Sequence, residues 1–529
     1  MIAAIANPCS LNSATPIPSP AAAVPGDRRA LLCIGFFLAA LSYHGYNSAQ
    51  GWDRPIADFN PWRQSQTALT AWYFLRDGFS LAYPLPVLGP PWSVPFEFPT
   101  YQWLVASLAA TSGLPLESSG RAVSLAAFYV ALAAVNVLLR DVFRLRHERF
   151  FVLGFLLLSP VYIAWSRAFS IESTALALSL WYLVAFHRWT TSPRPLAGLA
   201  VAGLGIAAGL TKITTFFVFG AAAAILLVAS LGLRPVAWRG RVGFVAATGL
   251  LAFALPLGVT MAWVTYTDVI KASSPMTESL TSSALATWNY GTLSQRLSLN
   301  TWRQFELYGG NLVVSRYNLL FAALCLALYP GSWRRVLVLG ALFALPPLVF
   351  TNLYFAHDYY WYANGVFVLV ALGLAFAPLV TKPTVPLAAG LIACVLIFYQ
   401  YRNTYNSWYG PVQQRTLSQL LPLAGKIKEL TPPDAYSIVY GFDWDPLLAY
   451  QSERRMVMQT VEHSRTPVTE PPLSDAIAEA GRSHLGAIIF VGERQAETDF
   501  VQAQLRALGI SGPPAYADPS GILYLVPPP

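Results

Sequence analysis

The sequence predicts an all-α polytopic membrane protein with about eleven transmembrane helices and a small C-terminal extracytoplasmic α/β domain. The first observation is composition: 55% of the 529 residues are hydrophobic, only 11% are charged, and the mean hydropathy is +0.47. Soluble proteins carry about a quarter charged residues. The second is that long apolar runs alternate with loops that are either rich or poor in Arg and Lys. The third is that charged residues return after Tyr401.

The apolar runs define the predicted membrane crossings. A helix needs roughly 17–25 mostly apolar residues to span the hydrocarbon core. Some runs are short or contain proline, so their ends are uncertain by a few residues. The predicted crossings are 29–46, 121–139, 150–166, 170–186, 195–211, 213–233, 242–264, 317–333, 336–356, 359–380 and 383–401.

The distribution of positive charge predicts the orientation. Lys and Arg are enriched in cytoplasmic loops, and Arg28 and Arg29 precede the first crossing. The loops that would lie on the same side carry further charges, namely Arg140, Arg144, Arg146, Arg149, Arg188, Arg194, Arg234, Arg239, Arg241, Arg334, Arg335 and Lys382. The short loops opposite hold only Arg167 and Lys212. We therefore expect the N-terminus inside and the C-terminus outside. These loops account for most of the net charge of +8, so no nucleic-acid partner is expected.

This topology divides the chain into three parts. Residues 1–28 form a cytoplasmic lead, 29–401 a transmembrane module, and 402–529 an extracytoplasmic α/β domain. The module has large outer loops at 47–120 and 265–316. In the first loop, Tyr101–Thr111 and Arg63–Gly78 are predicted to be interfacial helices. The aromatic residues expected at the membrane surface are Tyr101, Trp103, Trp72, Tyr73 and Phe74.

The C-terminal tail alternates between strand-like and helix-like segments, which favours a partly parallel sheet. The predicted strands are Tyr436–Gly441, Met456–Val461, Ala487–Gly492 and Ile522–Val526, and the predicted helices are 473–482 and 494–508. The tail contains no glycine-rich phosphate loop, nucleophile elbow or metal cluster. We expect it to support the module or to position an acceptor.

The acidic residues favour chemistry at the outer membrane surface. Acids inside transporter helices mark ion and substrate pathways, but here they cluster at outer helix ends and in outer loops. Three local patterns contain most of the candidates. They are Asp58–Gly78 followed by Pro90–Leu104, then Ser166–Ser173, and finally Tyr354–Asn364.

These three patterns resemble those of the GT-C glycosyltransferases, in particular the protein O-mannosyltransferase and lipid A aminoarabinose transferase branch. The resemblance covers roughly 29–400 in layout. It implies a GT-C-like fold, a first outer loop that bears a catalytic acid, a second acid after the third crossing, and a sugar donor linked to a polyprenyl phosphate.

The resemblance assigns expected roles to individual positions. Glu172 matches the second acid, and Pro95–Leu104 resembles the proline-rich segment that leads into an interfacial helix. His357–Tyr360 resembles the tyrosine-rich start of a late span that lines the donor cavity. Where many relatives have a tandem Asp-Glu, this chain reads Arg63-Gln64. A nearby acid must then serve: Asp58 is the first choice, and Asp53 and Glu97 are its rivals.

Physical chemistry independently defines the groups that such a transfer needs. A carboxylate must take the proton of the acceptor as the new bond forms, and Asp58, Glu97 and Glu172 are the candidates. Cations and hydrogen-bond donors must stabilise the charge that develops on the leaving phosphate. The candidates are Arg63, Lys212, Arg296, Arg303 and His357, with Arg316 as a further boundary charge. The resemblance adds Tyr359 and Tyr360 as expected donor-binding residues.

Each candidate also has a purely structural alternative. Glu172 could pair with Arg167 as a brace at a helix end, and Lys212 could extend to the membrane surface. His357 could be a satisfied interfacial histidine. The cysteines Cys9, Cys33, Cys325 and Cys394 have no metal-ligand spacing, and no disulfide is expected. No cofactor is firmly predicted, although pairs of acids could bind Mg²⁺ or Mn²⁺ through oxygen.

The sequence therefore predicts a membrane glycosyltransferase of the bacterial inner membrane with a periplasmic active face. It would move a sugar, with inversion, from a polyprenyl-phosphate donor to a lipid, glycan or protein acceptor, among membrane lipids. The main alternative is a transporter or flippase of a lipid-linked saccharide, which predicts charges at the bilayer midplane and related halves. A third is a non-catalytic assembly factor, for which neutralising the first-loop acids would have no effect.

Overall fold

The computed structural model describes residues 26–232, 238–414, 420–461, 464–492 and 499–528. The predicted cytoplasmic lead lies almost wholly outside the described residues. Helices dominate as far as Gln413. They are α1 (Gly26–Ala49), α2 (Pro61–Asp77), α3 (Thr100–Ser112), α4 (Leu116–Asp141), α5 (Glu148–Leu158), α6 (Pro160–Trp165), α7 (Glu172–Thr191), α8 (Pro195–Thr211), α9 (Ile213–Gly232), α10 (Trp238–Thr248), α11 (Leu255–Lys271), α12 (Ala286–Tyr290), α13 (Leu293–Leu297), α14 (Leu299–Phe305), α15 (Arg316–Leu328), α16 (Trp333–Val349), α17 (Thr351–Ala356), α18 (Trp361–Thr381) and α19 (Leu387–Gln413). Gly249–Ala254 and Glu306–Val313 are π-helical, and Glu278–Leu280, Pro330–Ser332 and Asp358–Tyr360 are short 3₁₀ turns.

Several of these helices identify a multi-pass membrane protein. Among the described residues, six are long and apolar enough to cross a membrane: Arg28–Ala49, Leu116–Asp141, Ile213–Gly232, Gly240–Lys271, Pro330–Val349 and Asp358–Thr381. Leu299–Val313 and Arg316–Leu328, bent by 77°, would together form a seventh. Each predicted crossing coincides for most of its length with helical residues, and residue 233 of one crossing lies outside the described residues. The number eleven and the orientation stay predictions.

Breaks in the backbone explain why some predicted crossings are not single long helices. The run 150–166 divides into α5 and α6 because Ser159 is extended and Pro160 begins the next helix. The hydroxyl of Ser159 donates a hydrogen bond of 2.8 Å to the carbonyl of Val313, inside the bundle. The run 336–356 divides in the same way at Phe350, between α16 and α17.

Helix α18 lies at the centre of the helical bundle. In its most apolar window, 89% of the residues are buried inside the protein, against 17–39% for the other candidate spans. Its N-terminal turn is held by Tyr162 of α6, which stacks on Tyr362 at 4.6 Å and donates a hydrogen bond to the Tyr362 carbonyl. A Cβ at Gly373 would lie 2.9 Å from the Cα of Val152, so the approach of α18 to α5 requires glycine.

The C-terminal part forms the small sheet that the alternating pattern predicts. The strands β1 (Tyr436–Tyr440), β2 (Arg455–Met458), β3 (Leu485–Val491), β4 (Tyr516–Asp518) and β5 (Gly521–Leu525) are ordered β2-β1-β3-β5-β4. β2, β1 and β3 are parallel, whereas β5 is antiparallel to β3 and β4. The four predicted strands are confirmed, and the three-residue strand β4 escaped prediction because it is short. The helices are α20 (Leu421–Leu430), α21 (Leu447–Ser452), α22 (Leu473–Ala480) and α23 (Asp499–Ala507), with a 3₁₀ turn at Arg482–His484. Residues 494–498 of one predicted helix lie outside the described residues.

The first outer loop covers the edge of this sheet that β2 forms. The amides of Met456 and Met458 donate to the carbonyls of Pro86 and Val87 at 2.9 and 2.8 Å. Leu88 forms a bridge with Val457 and is fully buried. An uncovered edge strand would expose unpaired backbone groups. The loop thus holds the sheet against the helical module.

The two predicted interfacial helices form, but most of their aromatic side chains face protein. Tyr101 is fully buried, and its hydroxyl donates to the Gly120 carbonyl at 2.8 Å. Tyr73 and Phe74 are also buried. The prediction that these three side chains lie at the membrane surface is wrong, because the C-terminal sheet and the neighbouring helices cover the loop. Trp103 is 48% exposed.

Shortening Leu88 should loosen the contact between this loop and the sheet. Leu88→Ala removes buried side-chain volume, which typically costs about 2–5 kcal/mol. We expect faster hydrogen exchange at the amides of Met456 and Met458, measured by mass spectrometry. Leu81→Ala is the matched control, because Leu81 lies in the same loop and is 46% exposed. Equal exchange in both variants would contradict the docking role of Leu88.

Candidate active site

A cavity of about 650 Å³ lies where the first outer loop, several helix ends and the C-terminal sheet meet. The charged groups that line it are Arg63, Lys212, Lys271, Glu97 and Asp443. Its other lining side chains are mainly aromatic, apolar or hydroxyl-bearing. These side chains include Trp62, Gln66, Phe96, Trp288, His357, Tyr359, Tyr360 and Trp444.

Arg63 reaches the cavity because of the way in which α2 begins. Asn60 adopts a left-handed conformation, its side chain accepts a hydrogen bond from the Arg63 amide, and Pro61 opens the helix. One terminal nitrogen of Arg63 donates to Glu97 Oε1 at 2.7 Å, and the other donates to Gln66 Oε1 at 2.7 Å. The guanidinium is therefore fixed in the wall of the cavity beside a carboxylate.

Glu97 is held in place from several directions. The Tyr83 hydroxyl accepts from the Phe96 amide at 2.6 Å and donates to the Glu97 carbonyl at 3.1 Å. The indole of Trp263 donates to the Phe96 carbonyl at 2.9 Å. The Glu97 side chain is 24% exposed, while that of Arg63 is 8% exposed. Glu97 is thus a rigidly placed carboxylate that the cavity can still reach.

The electrostatic surroundings keep Glu97 ionised. Burial alone would raise its pKa, but the charges of Arg63 and Lys212 outweigh burial and hold the pKa below its usual range. A carboxylate with a low pKa is deprotonated at neutral pH, so it can accept a proton.

The second acid, Glu172, forms the other charged pair of the site. Its Oε1 lies 2.6 Å from Lys212 Nζ, and both side chains are almost fully buried. Lys212 follows directly on the last residue of α8, and its ammonium lies over the rings of Tyr360 and Tyr359 at 4.2 and 5.0 Å. The alternative that Glu172 braces Arg167 is therefore wrong, and Lys212 does not extend to the surface.

The residues just before α18 provide an aromatic wall against this lysine. His357 stacks on Tyr359 with ring centres 5.0 Å apart, and Tyr359 stacks on Tyr360 at 4.8 Å. Burial, together with the charges of Arg63 and Lys212, lowers the pKa of His357 to about 4. The imidazole is therefore neutral at pH 7.

Asp58 occupies a different environment from Glu97. It is 6% exposed and its Oδ2 lies 2.9 Å from a terminal nitrogen of Arg167. Its other oxygen accepts from Gln64 at 3.0 Å, and Gln64 in turn accepts from the Phe169 amide. Asp58 is absent from the side chains that line the cavity. This pair joins the first outer loop to the junction between α6 and α7.

The remaining predicted cations lie outside the cavity lining. Arg296 donates to the carbonyls of Leu348, Val349 and Tyr290 and so connects α13 to α16. Arg303 is exposed on α14. Arg316 pairs with Glu306 at 2.7 Å on the surface.

The structure adds residues that the sequence analysis missed. Lys271 lines the cavity, pairs with Asp268 at 3.0 Å and lies over the ring of Phe96 at 5.2 Å. It is the only lysine between Lys212 and Lys382, and this could have drawn attention to it. Gln66 and Trp444 have no comparable signal. The position of Trp444 results from the docking of the C-terminal sheet.

The described residues contain no group of three or more His, Cys, Asp or Glu side chains arranged to hold a metal ion. Glu97 and Glu172 are instead each engaged by a cation of the protein at 2.7 and 2.6 Å.

Comparison with known proteins identifies the fold. No family model matches the chain, and no curated protein sequence is significantly similar to it. The structure of ArnT from Cupriavidus metallidurans bound to undecaprenyl phosphate superimposes with a TM-score of 0.54. The superposition covers 93% of this chain and 97% of ArnT at 12% identity. The chain has the ArnT fold.

Two further solved structures are similar. ArnT from the same organism in the apo state gives a TM-score of 0.54 at 11% identity, again over 93% of this chain and 97% of ArnT. Arabinofuranosyltransferase AftD from Mycobacteria gives a TM-score of 0.47 at 14% identity, over 96% of this chain and 40% of AftD. The two ArnT superpositions confirm the fold that the sequence resemblance implies.

The Asp58–Arg167 pair should contribute mainly to stability. Arg167→Met leaves a buried carboxylate without its cation, which typically costs about 3–5 kcal/mol. We expect a lower midpoint of thermal unfolding in detergent. The double variant Asp58→Asn/Arg167→Met should recover much of this loss, because no buried charge is left unpaired.

The control for this experiment is Arg140→Met, which removes an exposed ion pair with Asp141 and should change the midpoint little. A double variant as unstable as Arg167→Met alone would contradict the pairing account.

Proposed function

We propose that this protein is a membrane glycosyltransferase that transfers a sugar from a polyprenyl-phosphate donor to an extracytoplasmic acceptor. The observation that carries the proposal is the convergence of the Arg63–Glu97 pair, Lys212 and the aromatic start of α18 on one cavity of about 650 Å³. The fold shared with ArnT, whose structure contains undecaprenyl phosphate, supports this assignment.

Glu97 is the proposed general base. Its Oε1 is bonded to Arg63, and Oε2 would take the proton of the acceptor hydroxyl. The acceptor oxygen then forms a bond to the anomeric carbon as the bond from that carbon to the phosphate oxygen breaks. The electron pair leaves with the polyprenyl phosphate. Attack from the face opposite to the leaving group inverts the anomeric centre.

The leaving phosphate gains negative charge and needs cations and hydrogen-bond donors. Lys212 supplies an ammonium with three donors, of which one engages Glu172. His357, Tyr359 and Tyr360 also line the cavity, the Lys212 ammonium lies over both tyrosine rings, and His357 stacks on Tyr359. We assign Lys212 to the phosphate and Glu172 to positioning Lys212.

Asp58, the first choice from sequence, becomes a structural residue in this proposal, because it is paired with Arg167 away from the cavity lining. Arg296 and Arg303 receive no role in the reaction. The predicted orientation puts the cavity and residues 402–529 on the extracytoplasmic side. In a bacterial inner membrane, which the proposal assumes, this side is the periplasmic face.

Removing the charge of Glu97 should abolish transfer without unfolding the protein. General base catalysis typically contributes about 10²–10⁴-fold, so we expect Glu97→Gln to lose activity on this order. Activity is measured as free undecaprenyl phosphate released from a panel of undecaprenyl-phosphate sugars in the presence of envelope acceptors. Asp77→Asn is the matched control in the same loop, because Asp77 is exposed and pairs with Arg76. Unchanged release by Glu97→Gln would exclude Glu97 as the base.

The low pKa of Glu97 also predicts the pH dependence. The active form is deprotonated, so kcat/KM should be flat from about pH 5.5 to 7.5 and should fall only below the ordinary glutamate pKa of about 4.3. His357, with a pKa of about 4, is neutral over the same range. The measurement is the initial rate of undecaprenyl phosphate release at low donor concentration, with intrinsic fluorescence as a control for folding. A clear step near pH 6.5 would contradict this assignment.

A further inference from the structure

An aromatic cluster stands beside the proposed base. Trp62, Phe96 and Trp444 come from α2, the first outer loop and the connection between β1 and α21, and all three line the cavity. The rings of Trp62 and Trp444 meet edge to face at 4.6 Å, and Phe96 stacks on Trp444 at 5.9 Å. None of the three is fully exposed. We call this group the Trp444 cluster.

Two residues of the Trp444 cluster are direct sequence neighbours of the proposed reacting pair, Arg63 and Glu97. Trp62 precedes Arg63, and Phe96 precedes Glu97. The Trp444 cluster and the Glu97 carboxylate therefore line the same cavity. Lys212 and the tyrosines that start α18 belong to other segments of the lining. The cavity thus contains two groups of side chains. One is Lys212 with Tyr359 and Tyr360, which suits a phosphate, and the other is the Trp444 cluster with the Arg63–Glu97 pair and Lys271.

Asp443 completes the aromatic part with a carboxylate. Its Oδ1 accepts from the Val461 amide at 3.2 Å, which ties the loop before α21 to the end of β2. The backbone of Asp443 is left-handed, with φ of 46°. Asp and Asn are the non-glycine residues that tolerate this conformation best. The loop is therefore shaped so that Asp443 and Trp444 both reach the cavity.

A sugar ring matches this combination of groups. Its axial C–H bonds form an apolar face that packs on an aromatic ring, while its hydroxyls donate to a carboxylate. Ligand sites commonly combine apolar and aromatic walls with a few polar groups in this way. Lys271 over the Phe96 ring and the carboxylate of Asp443 give this part of the cavity charges of both signs, which suits a neutral ligand that bears hydroxyls.

We propose that Trp444 and Asp443 form the acceptor subsite and that the acceptor is a carbohydrate hydroxyl. The sugar stacks on the Trp444 cluster, Asp443 receives one of its hydroxyls, and the reacting hydroxyl points to Glu97. The C-terminal sheet therefore determines acceptor specificity. This inference rests on the proposed glycosyltransferase function for the reaction, but binding of the carbohydrate does not depend on it.

The probes are octyl glucoside, octyl galactoside and octyl mannoside, added to the full-length protein in lipid nanodiscs. Octyl tetraethylene glycol ether is the sugar-free control. The first readout is hydrogen exchange of residues 442–445, which needs no donor. The second is the glycoside concentration that half-saturates release of undecaprenyl phosphate from the donor panel.

We expect at least one glycoside, but not the ether, to slow exchange at 442–445. Trp444→Ala should raise the half-saturating concentration by on the order of tenfold to a hundredfold, as buried aromatic contacts do at binding sites. The rate at saturation should change less. Trp444→Phe should restore most of the affinity, and Trp408→Ala, a half-exposed tryptophan of α19, should have no effect.

Asp443→Asn is a second variant, which tests the site even if Trp444→Ala fails to fold. Asparagine keeps the left-handed backbone and can still accept a hydrogen bond from the Val461 amide. It should raise the half-saturating concentration several-fold. The inference is overturned if no glycoside protects 442–445, or if both variants lower only the rate at saturation. Protection without release of undecaprenyl phosphate from any donor would refute the proposed function and leave the carbohydrate site standing.

Discussion

Charged side chains that are buried at one end of the helical bundle are stable only as ion pairs. The arrangement of the site depends on this constraint. A buried ion that loses its partner costs several kcal/mol. The pair Asp58–Arg167 attaches the first outer loop to the junction between α6 and α7, Arg63–Glu97 joins two segments within that loop, and Glu172–Lys212 joins α7 to the end of α8. The loop, in turn, covers the edge of the C-terminal sheet. The position of the sheet therefore follows from the same pairing.

The ion pairs differ in solvent exposure. This difference distinguishes the pair that stabilises the structure from the pair that can take part in the reaction. Asp58 and Arg167 are 8% and 1% exposed and are further enclosed by Gln64. Glu97 keeps 24% of its side chain exposed to the cavity while its backbone is fixed. A base must be both ionised and within reach of its substrate. Of the three predicted acids, Glu97 alone lines the cavity.

Much of the fold could be predicted from the sequence, because apolar runs and loop charges act locally. The long apolar helices and four of the five strands appear where the patterns indicate, whereas the short helices α12, α13, α14, α20 and α21 were not predicted. The residues of the candidate site were harder to predict than the fold. Asp58 and Glu97 both lie among aromatic residues in one loop, and only their partners, which are distant in sequence, distinguish them. Trp444 carried no signal at all, because its contact with the cavity results from the docking of a separate sheet.

The most direct test of the account is whether the purified protein itself consumes a lipid-linked sugar. The protein in nanodiscs is incubated with undecaprenyl-phosphate sugars and envelope acceptors, and free undecaprenyl phosphate is quantified by mass spectrometry. The account predicts release that depends on the acceptor, with the sugar recovered on that acceptor. The contradicting result is no release with any donor, together with movement of the intact lipid-linked saccharide across the bilayer in proteoliposomes.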